Sequence, residues 1–445
     1  MKINDTLIIK LPKPTMEGIC DCMISKNHVF VRHGIENEKV KIKITKKIKE
    51  GYIGEIIQVI EPSKNRCNSN CPHLNCGGCS YNHMDYEAQC LLKQEQIKQL
   101  YEKDKMIVHS VNKAENPREY RNKCIYTFQK VKKQIKFGFY EENSHYVIDI
   151  KNCLNHDELT MKILNEIKKL IIDFKLEVYD EDNFTGIFRH VLIRRAMTSN
   201  QTLVCFVLAK EFKGTNNFIK ELVKRVPEIT TIVFNYNPRR TSVVLGDKER
   251  IMFGKGYILD ELCRNTYKLS ANTFYQINHD QTEKLYQKAI ELCEFKGNER
   301  VLDMYCGIGT IGMSFAHQVK EVIGVELNSR SIKDAINNAK MNDIKNIHFI
   351  NKDATEFMKE YARKKENVDV VIMDPPRSGS TPQFIKDCIS MNPKKVLYIS
   401  CDPRTQARDL KEFRKYGYTT NETHLFDLFP YSSHVESIQL LTKKV

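Results

Sequence analysis

Cys401 stands in Ser400-Cys401-Asp402-Pro403, and Phe429-Pro430-Tyr431-Ser432-Ser433-His434-Val435-Glu436 follows near the end of the chain. One thiol and one carboxylate are the groups needed to substitute carbon 5 of a pyrimidine ring. That carbon is a poor nucleophile until something adds to C6. A thiolate adding there makes C5 enolate-like, and a base must later take the C5 proton so that the sulfur can leave. A free thiol has a pKa of about 8.5, so a site working this way is expected to depress it. Each residue also has a plainer reading: Cys401 as a small buried residue at a strand end, Glu436 as a surface carboxylate, and His434 as a hydrogen-bonded neighbour rather than a proton relay.

The elements that must position this pair are legible upstream. Arg300 to Gly312 reads as a strand, a glycine turn and the start of a helix, and the next strand, Val322-Ile323-Gly324-Val325-Glu326, ends in an acid 23 positions after Asp303. In a doubly wound sheet that acid lies where it can accept hydrogen bonds from a ribose. Gly307-x-Gly309-x-x-Gly312 also matches a dinucleotide fingerprint, a weak signal alone. A further strand, Val368 to Met373, runs into Asp374-Pro375-Pro376-Arg377, whose prolines halt it at the carboxyl edge where such sheets bind ligands. Asp374 there can orient a donor or a target base. The strand Lys395 to Ser400 then delivers Cys401 to the same edge, so acid, prolines and thiol are expected to face one crevice. Cys306, inside the glycine turn, reads as packing.

With 445 residues the chain is long enough for two or three domains, and 41% hydrophobic with 28% charged residues marks it as soluble and globular. No apolar run approaches the roughly 18 residues of a membrane span, and the opening Met1-Lys2-Ile3-Asn4-Asp5 does not read as a secretory signal, which places the protein in the cytoplasm. Fifteen cysteines in such a chain argue for free thiols, catalysis or metal rather than a disulfide framework. A net charge of +14 and a pI near 9.0 fit either a polyanionic partner or a lysine-rich solvated surface.

From Thr6 to about Pro62 short alternating runs predict a small β-barrel, with Val40, Ile42 and Ile44 on one face of a strand and Lys39, Lys41 and Lys43 on the other. Cys71, Cys76 and Cys79 then fall within nine residues beside Gly77 and Gly78, and Cys153 is available as a fourth ligand. Spacing alone favours zinc over an iron-sulfur cluster and leaves Cys67 as a substitute, while Cys90 and Cys124 read as buried small hydrophobes. Tyr86 to Tyr101 reads as an amphipathic helix. Tyr120-Arg121-Asn122-Lys123 and Arg189-His190 are polar patches that can hold phosphates or serve structure.

Taken together, the chain resembles the RNA (uracil-5-)-methyltransferase family, whose members make 5-methyluridine in ribosomal or transfer RNA with S-adenosylmethionine. The resemblance rests on Ser270-Ala271-Asn272-Thr273-Phe274-Tyr275-Gln276-Ile277-Asn278, the Asp303 to Gly312 loop, Asp374-Pro375-Pro376-Arg377, Ser400-Cys401-Asp402-Pro403, and Phe429-Pro430 leading to His434-Val435-Glu436. It implies an α/β fold: a TRAM RNA-binding barrel over 1–64, an α+β central RNA-binding domain over 65–265 with a metal cluster, and a Rossmann-like class I methyltransferase domain over 266–445. It further implies that Gln276, Tyr305, Glu326 and Asp374 contact S-adenosylmethionine, that Cys401 is the nucleophile and that Glu436 is the base. In the ribosomal branch Cys71, Cys76, Cys79 and Cys153 match the ligands of a [4Fe-4S] cluster, which replaces zinc as the expectation. Cys71 and Cys76 enclose four residues where the family usually has five, so Cys67 stays an alternative first ligand. The implied partner is RNA, 23S rRNA ahead of tRNA, with no membrane and no obligate protein partner. The rival readings are a non-catalytic RNA-binding iron-sulfur sensor and an enzyme methylating an exocyclic nitrogen, although the latter needs an aromatic residue where this chain has Arg377.

Overall fold

The structure is a computed structural model that describes residues 1–132, 134–141, 144–364 and 366–443. Its amino-terminal part is a five-stranded sheet in the order Thr6–Lys10, Lys39–Ile48, Gly51–Glu61, Asn27–Arg32, Ile19–Ile24. Val40, Ile42 and Ile44 are buried while the alternating lysines face outward, as period two dictates. Leu7 and Ile9 from one edge strand share a core with Cys20 and Cys22 from the other, so the sheet is rolled upon itself.

A seven-stranded sheet follows, in the order Lys248–Phe253, Thr231–Tyr236, Thr202–Leu208, Phe188–Arg195, Lys123–Val131, Gln134–Tyr140, Val147–Asp149. The helices Glu158–Asp173 and Thr215–Arg225 share its apolar core. Arg189 and His190 serve this packing instead of holding phosphates. Arg189 is buried, donates to the carbonyls of Asn237 and Arg239 at 2.8 Å and pairs with Glu181, while His190 lies 3.1 Å from the Thr127 hydroxyl.

The last sheet orders its main strands as Ile347–Asn351, Glu321–Glu326, Arg300–Met304, Val370–Met373, Lys395–Ser400, Glu436–Lys443, Glu422–Phe426, Ile107–Asn112. The first five are parallel and Glu436–Lys443 runs against both its neighbours. Strands of the parallel set are apolar nearly throughout because helices cover both faces. The chain leaves Arg300–Met304 in one direction and returns on its other side at Val370–Met373. That reversal opens a crevice at the carboxyl ends of these strands. Within the segment 65–265, the helix Tyr86–Leu100 and the strand Ile107–Asn112 pack on this carboxy-terminal sheet. The added strand covers the otherwise open edge of Glu422–Phe426. No helix among the described residues is long and apolar enough to cross a membrane.

Candidate active site

Ser400 pairs with Ser437 in the antiparallel ladder, so the next residues outward, Cys401 and Glu436, stand opposite one another at the sheet's edge. Beyond the thiol, Asp402 accepts from the Arg404 amide at 3.0 Å and caps the helix Pro403–Arg414, with Pro403 in its first turn. This turns the chain sharply and leaves Cys401 half-buried at a cavity of 340 Å³. Three stretches far apart in sequence line it: Met16, Glu17 and Arg32 of the amino-terminal part, Gly77 and Ser80 of the cysteine loop, and Arg377, Arg404 and His434 beside the thiol.

The electrostatics contradict one expectation. The Cys401 thiol is pushed up to about 12, by burial first and then by the negative charges of Glu436 and Asp374, with Arg377 opposing. The thiol is therefore not depressed in the unliganded protein, because two carboxyl groups and desolvation outweigh one guanidinium. Burial, with Asp374 beside it, also drives the Glu436 carboxyl well above the usual range, and burial takes Asp374 to about 7. His434 is pushed down to about 4 by burial and by Arg377 and Lys93, so its neutral Nε2 accepts a hydrogen bond from Arg377 Nη2 at 3.0 Å.

The segment that carries Glu436 is tied down from several sides. Lys93, fully buried, pairs with buried Asp427 at 2.7 Å, and the Tyr431 amide donates to Gln89 Oε1 at 3.1 Å. The Ser80 and Tyr81 amides, just past Cys79, both donate to the Tyr431 carbonyl at 2.9 Å. Arg118 stacks over the Tyr431 ring at 3.2 Å, and the Tyr120 hydroxyl donates to the Pro430 carbonyl at 3.2 Å. Gly18 is wedged here with φ +79°, and a Cβ on it would lie 3.1 Å from Ser80 and 3.5 Å from Ser433.

Two strands away, roughly 10 Å at normal strand spacing, lies the glycine turn. Gly309 has φ +82° and a Cβ there would meet the Phe349 ring at 2.7 Å. Glu326 accepts from the Gly307 amide at 3.2 Å and the Asn328 amide at 2.7 Å, which aims its carboxylate across the turn. Asp303 accepts from the Gly312 amide at 2.9 Å, while its other oxygen is buried without a partner, and its carboxyl is pushed up to about 7 by burial and by Asp374 and Glu326. Tyr305 takes the left-handed conformation at φ +64° and places its hydroxyl 3.2 Å from Ser380 Oγ. The backbone around Gln276 is held by Asn122, whose Nδ2 donates to the Gln276 carbonyl at 2.8 Å. Cys306 is buried, as a packing residue should be.

Cys71, Cys76, Cys79 and Cys153 all line a second cavity, of 410 Å³, together with Arg118, Arg121 and Lys123. Asn155 Nδ2 donates to Cys79 Sγ at 3.2 Å. Cys67 lies outside, with its sulfur 3.7 Å from the Asn82 carbonyl. A single zinc with four thiolates draws its sulfurs to about 3.8 Å of one another. Among the described residues no three of these sulfurs lie mutually within 4.8 Å. Arg121 and Lys123 face this cavity, which gives that basic patch its place.

The sequence matches the family described as tRNA (Uracil-5-)-methyltransferase over residues 85–444. This chain belongs to that family and is an RNA (uracil-5-)-methyltransferase. An uncharacterized RNA methyltransferase of Halalkalibacterium halodurans is 34% identical over 99% of this chain and 98% of its own. One from Staphylococcus aureus is 35% identical over 97% and 96% respectively. The crystal structure of the Pyrococcus abyssi tRNA (uracil-54, C5)-methyltransferase in complex with S-adenosyl-L-homocysteine has the same fold, with a TM-score of 0.79 and 23% identity over 98% of this chain and 99% of that one. The reversed strand Glu436–Lys443, which no all-parallel dinucleotide-binding sheet contains, agrees with that methyltransferase fold over the dinucleotide reading of the glycine turn.

Sequence reading of this uracil-5-methyltransferase missed the amino-terminal wall of the Cys401 cavity, the Lys93–Asp427 lock and the Arg118–Tyr431 stack. Lys93 and Asp427 are separated by 334 residues, and nothing local in either marks a partner. Arg377 was noticed only as a non-aromatic residue. Its position directly after Asp374-Pro375-Pro376 was the available signal for a cation at the crevice.

Proposed function

We propose that the enzyme methylates carbon 5 of one uridine in 23S rRNA, with S-adenosylmethionine as donor, through a covalent bond between Cys401 and C6 of the base. The observation that carries this reading is the placement of Cys401, which lines a cavity that also borders the amino-terminal part, one ladder step from the buried Glu436.

The donor pocket is assigned to Gln276, Tyr305, Glu326 and Asp374. The partnerless buried oxygen of Asp303 beneath the turn, and the open space that a Cβ on Gly307 would meet, fit a polar ligand lying close to the backbone. Bound there, S-adenosylmethionine supplies an electrophilic methyl group. Glu326 is positioned to accept from ribose hydroxyls, and Asp374 stands between the donor pocket and the thiol. Cys401 gives its proton to solvent and adds to C6, which moves the C5–C6 electron pair onto C5 and O4. C5 takes the methyl as neutral S-adenosylhomocysteine leaves, and Glu436, ionised by then, removes the C5 proton so that the C5–C6 double bond re-forms and the C6–sulfur bond breaks. Arg377 favours the charged forms of both Cys401 and Glu436.

The amino-terminal sheet is read as a TRAM domain gripping RNA with its lysine face, and the extruded uridine can stack on Phe274, which is 66% exposed. Cys71, Cys76, Cys79 and Cys153 are read as ligands of a [4Fe-4S] cluster, with Arg118, Arg121 and Lys123 balancing its thiolates. A transfer RNA is the second reading, favoured by the family's description and by the substrate of the Pyrococcus protein, whose architecture is shared over the full chain.

Glu436→Gln tests the chemistry. With RNA and S-adenosylmethionine it should accumulate a protein–RNA species stable to denaturing gels, and absence of that species would refute Glu436 as the base. Nucleoside mapping of 23S rRNA and tRNA from cells with and without the protein decides the substrate: 5-methyluridine lost only from tRNA overturns the ribosomal assignment.

A further inference from the structure

Three side chains with no part in the reaction converge at the outer edge of the large sheet. His109 lies on Ile107–Asn112, and Glu422 and His424 lie on the neighbouring parallel strand Glu422–Phe426. Glu422 and His424 are two apart and so share a face. The register explains how His109 joins them. Thr423 pairs with Val108 and Leu425 with Val111, so His109 and Ser110 together oppose His424 in a bulge, the irregularity that re-aims side chains at sheet edges.

The two imidazoles stack in parallel, with centroids 4.2 Å apart and planes 8° from one another, so one ring must turn about its Cβ–Cγ bond before both in-plane nitrogen lone pairs meet at one ion. His109 Nε2 lies 2.8 Å from Glu422 Oε2, and His424 Nε2 lies 3.8 Å from the same oxygen. His424 Nε2 is buried with no hydrogen-bond partner. One ligand atom from each of the three residues falls within 4.8 Å of the others, the one such trio of His, Cys, Asp or Glu among the described residues. Around a tetrahedral ion with bonds of 2.0–2.1 Å, donors sit about 3.4 Å apart, between the two distances seen here.

We propose that His109, Glu422 and His424 bind a divalent transition-metal ion of the zinc, nickel or copper type. Two borderline imidazoles beside one carboxylate suit such an ion better than calcium or magnesium, which take oxygen ligands alone. Binding displaces the proton shared by His109 Nε2 and Glu422, which leaves to Nδ1 or to solvent. Glu422 also borders a surface cavity of 520 Å³, together with Asp104, Arg414 and Thr419. The helix His279–Cys293 brings Lys288 and Glu291 into electrostatic reach, and these pair with each other at 2.8 Å, so neither charge decides the matter. The site is not catalytic. Glu422 is four residues, roughly 13 Å, from Phe426, which pairs with Glu436. Its effect is to staple the edge strand Ile107–Asn112 to the strand that leads into Asp427 and the segment carrying Glu436.

Titration of Zn²⁺ into the full-length protein, followed by calorimetry and by thermal unfolding, tests this. The wild type should take up one equivalent more than a His109→Gln/His424→Gln variant, and only the wild type should unfold at higher temperature when Zn²⁺ is added. A Cys71→Ala/Cys79→Ala variant should keep that equivalent, which separates this site from the cysteine cavity. Equal uptake by the wild type and the histidine variant, or uptake lost only with the cysteines, would overturn the proposal. Should the histidine variant fail to fold, Cu²⁺ bound to the wild type must show electron-spin-resonance hyperfine structure from two imidazole nitrogens, and its absence would also overturn it.

Discussion

Cys401 and Glu436 face each other across the end of an antiparallel ladder, one step beyond the Ser400–Ser437 pair. Directly opposed residues in such a ladder have Cα atoms about 4.5–5.5 Å apart, so backbone pairing alone brings the sulfur and the carboxylate close together. Neither depends on a flexible loop for its position.

Cys401→Ala should lower methylation by at least about 10³-fold while leaving S-adenosylmethionine affinity within a factor of two, because the thiol lines the base cavity and not the glycine turn. Single-turnover assays and calorimetry check the two halves separately. Appreciable turnover by this variant refutes the covalent route.

The raised thiol carries a pH signature. With Cys401 pushed up to about 12 in the unliganded protein, the thiolate fraction grows about tenfold per pH unit across the neutral range, so alkylation of Cys401 by iodoacetamide should accelerate steadily from pH 6 to 9. Glu436→Gln removes a group whose ionised form opposes the thiolate and should move that titration to lower pH, whereas Arg377→Ala removes the opposing cation and should move it higher. Mass-spectrometric rates at Cys401 read both shifts, and the two variants must move in opposite directions.

Lys93→Met should destabilise the protein by about 3–5 kcal/mol in urea unfolding, since it leaves Asp427 charged and buried without a partner. The double variant Lys93→Met/Asp427→Leu should recover much of that stability. Activity should recover less, because the lock also seats the segment running to Glu436.

Cys71→Ser, Cys76→Ser, Cys79→Ser and Cys153→Ser should each lose iron from protein purified without oxygen, while Cys67→Ser should retain about four irons per chain. Iron and sulfide analysis decides this. Retention by Cys71→Ser with loss in Cys67→Ser reverses the assignment of the first ligand.

Much of the catalytic half was legible because its signals are local. The apolar strand Val370–Met373 stopping at Pro375-Pro376, the glycine turn at Gly307 and Gly309, and the strand delivering Cys401 are each contained within a dozen residues, and their order in the chain implies a doubly wound sheet. The lysine-faced strand Lys39–Ile48 was readable for the same reason. The helix expected over Tyr86 to Tyr101 forms over Tyr86–Leu100, yet its destination was not readable, since Lys93 looks like any helical lysine until Asp427 is placed beside it.

Residue order by itself determined the nature of the reactive groups and the strands that carry them, because side-chain chemistry and periodicity are properties of short stretches. The tertiary structure alone decided that Met16, Gly77 and His434 wall one cavity, that His109 meets His424, and that Cys401 holds its proton more tightly than an ordinary thiol. Each of these depends on which distant segments exclude water or place charge at a point in space, and that is settled by how the sheets pack.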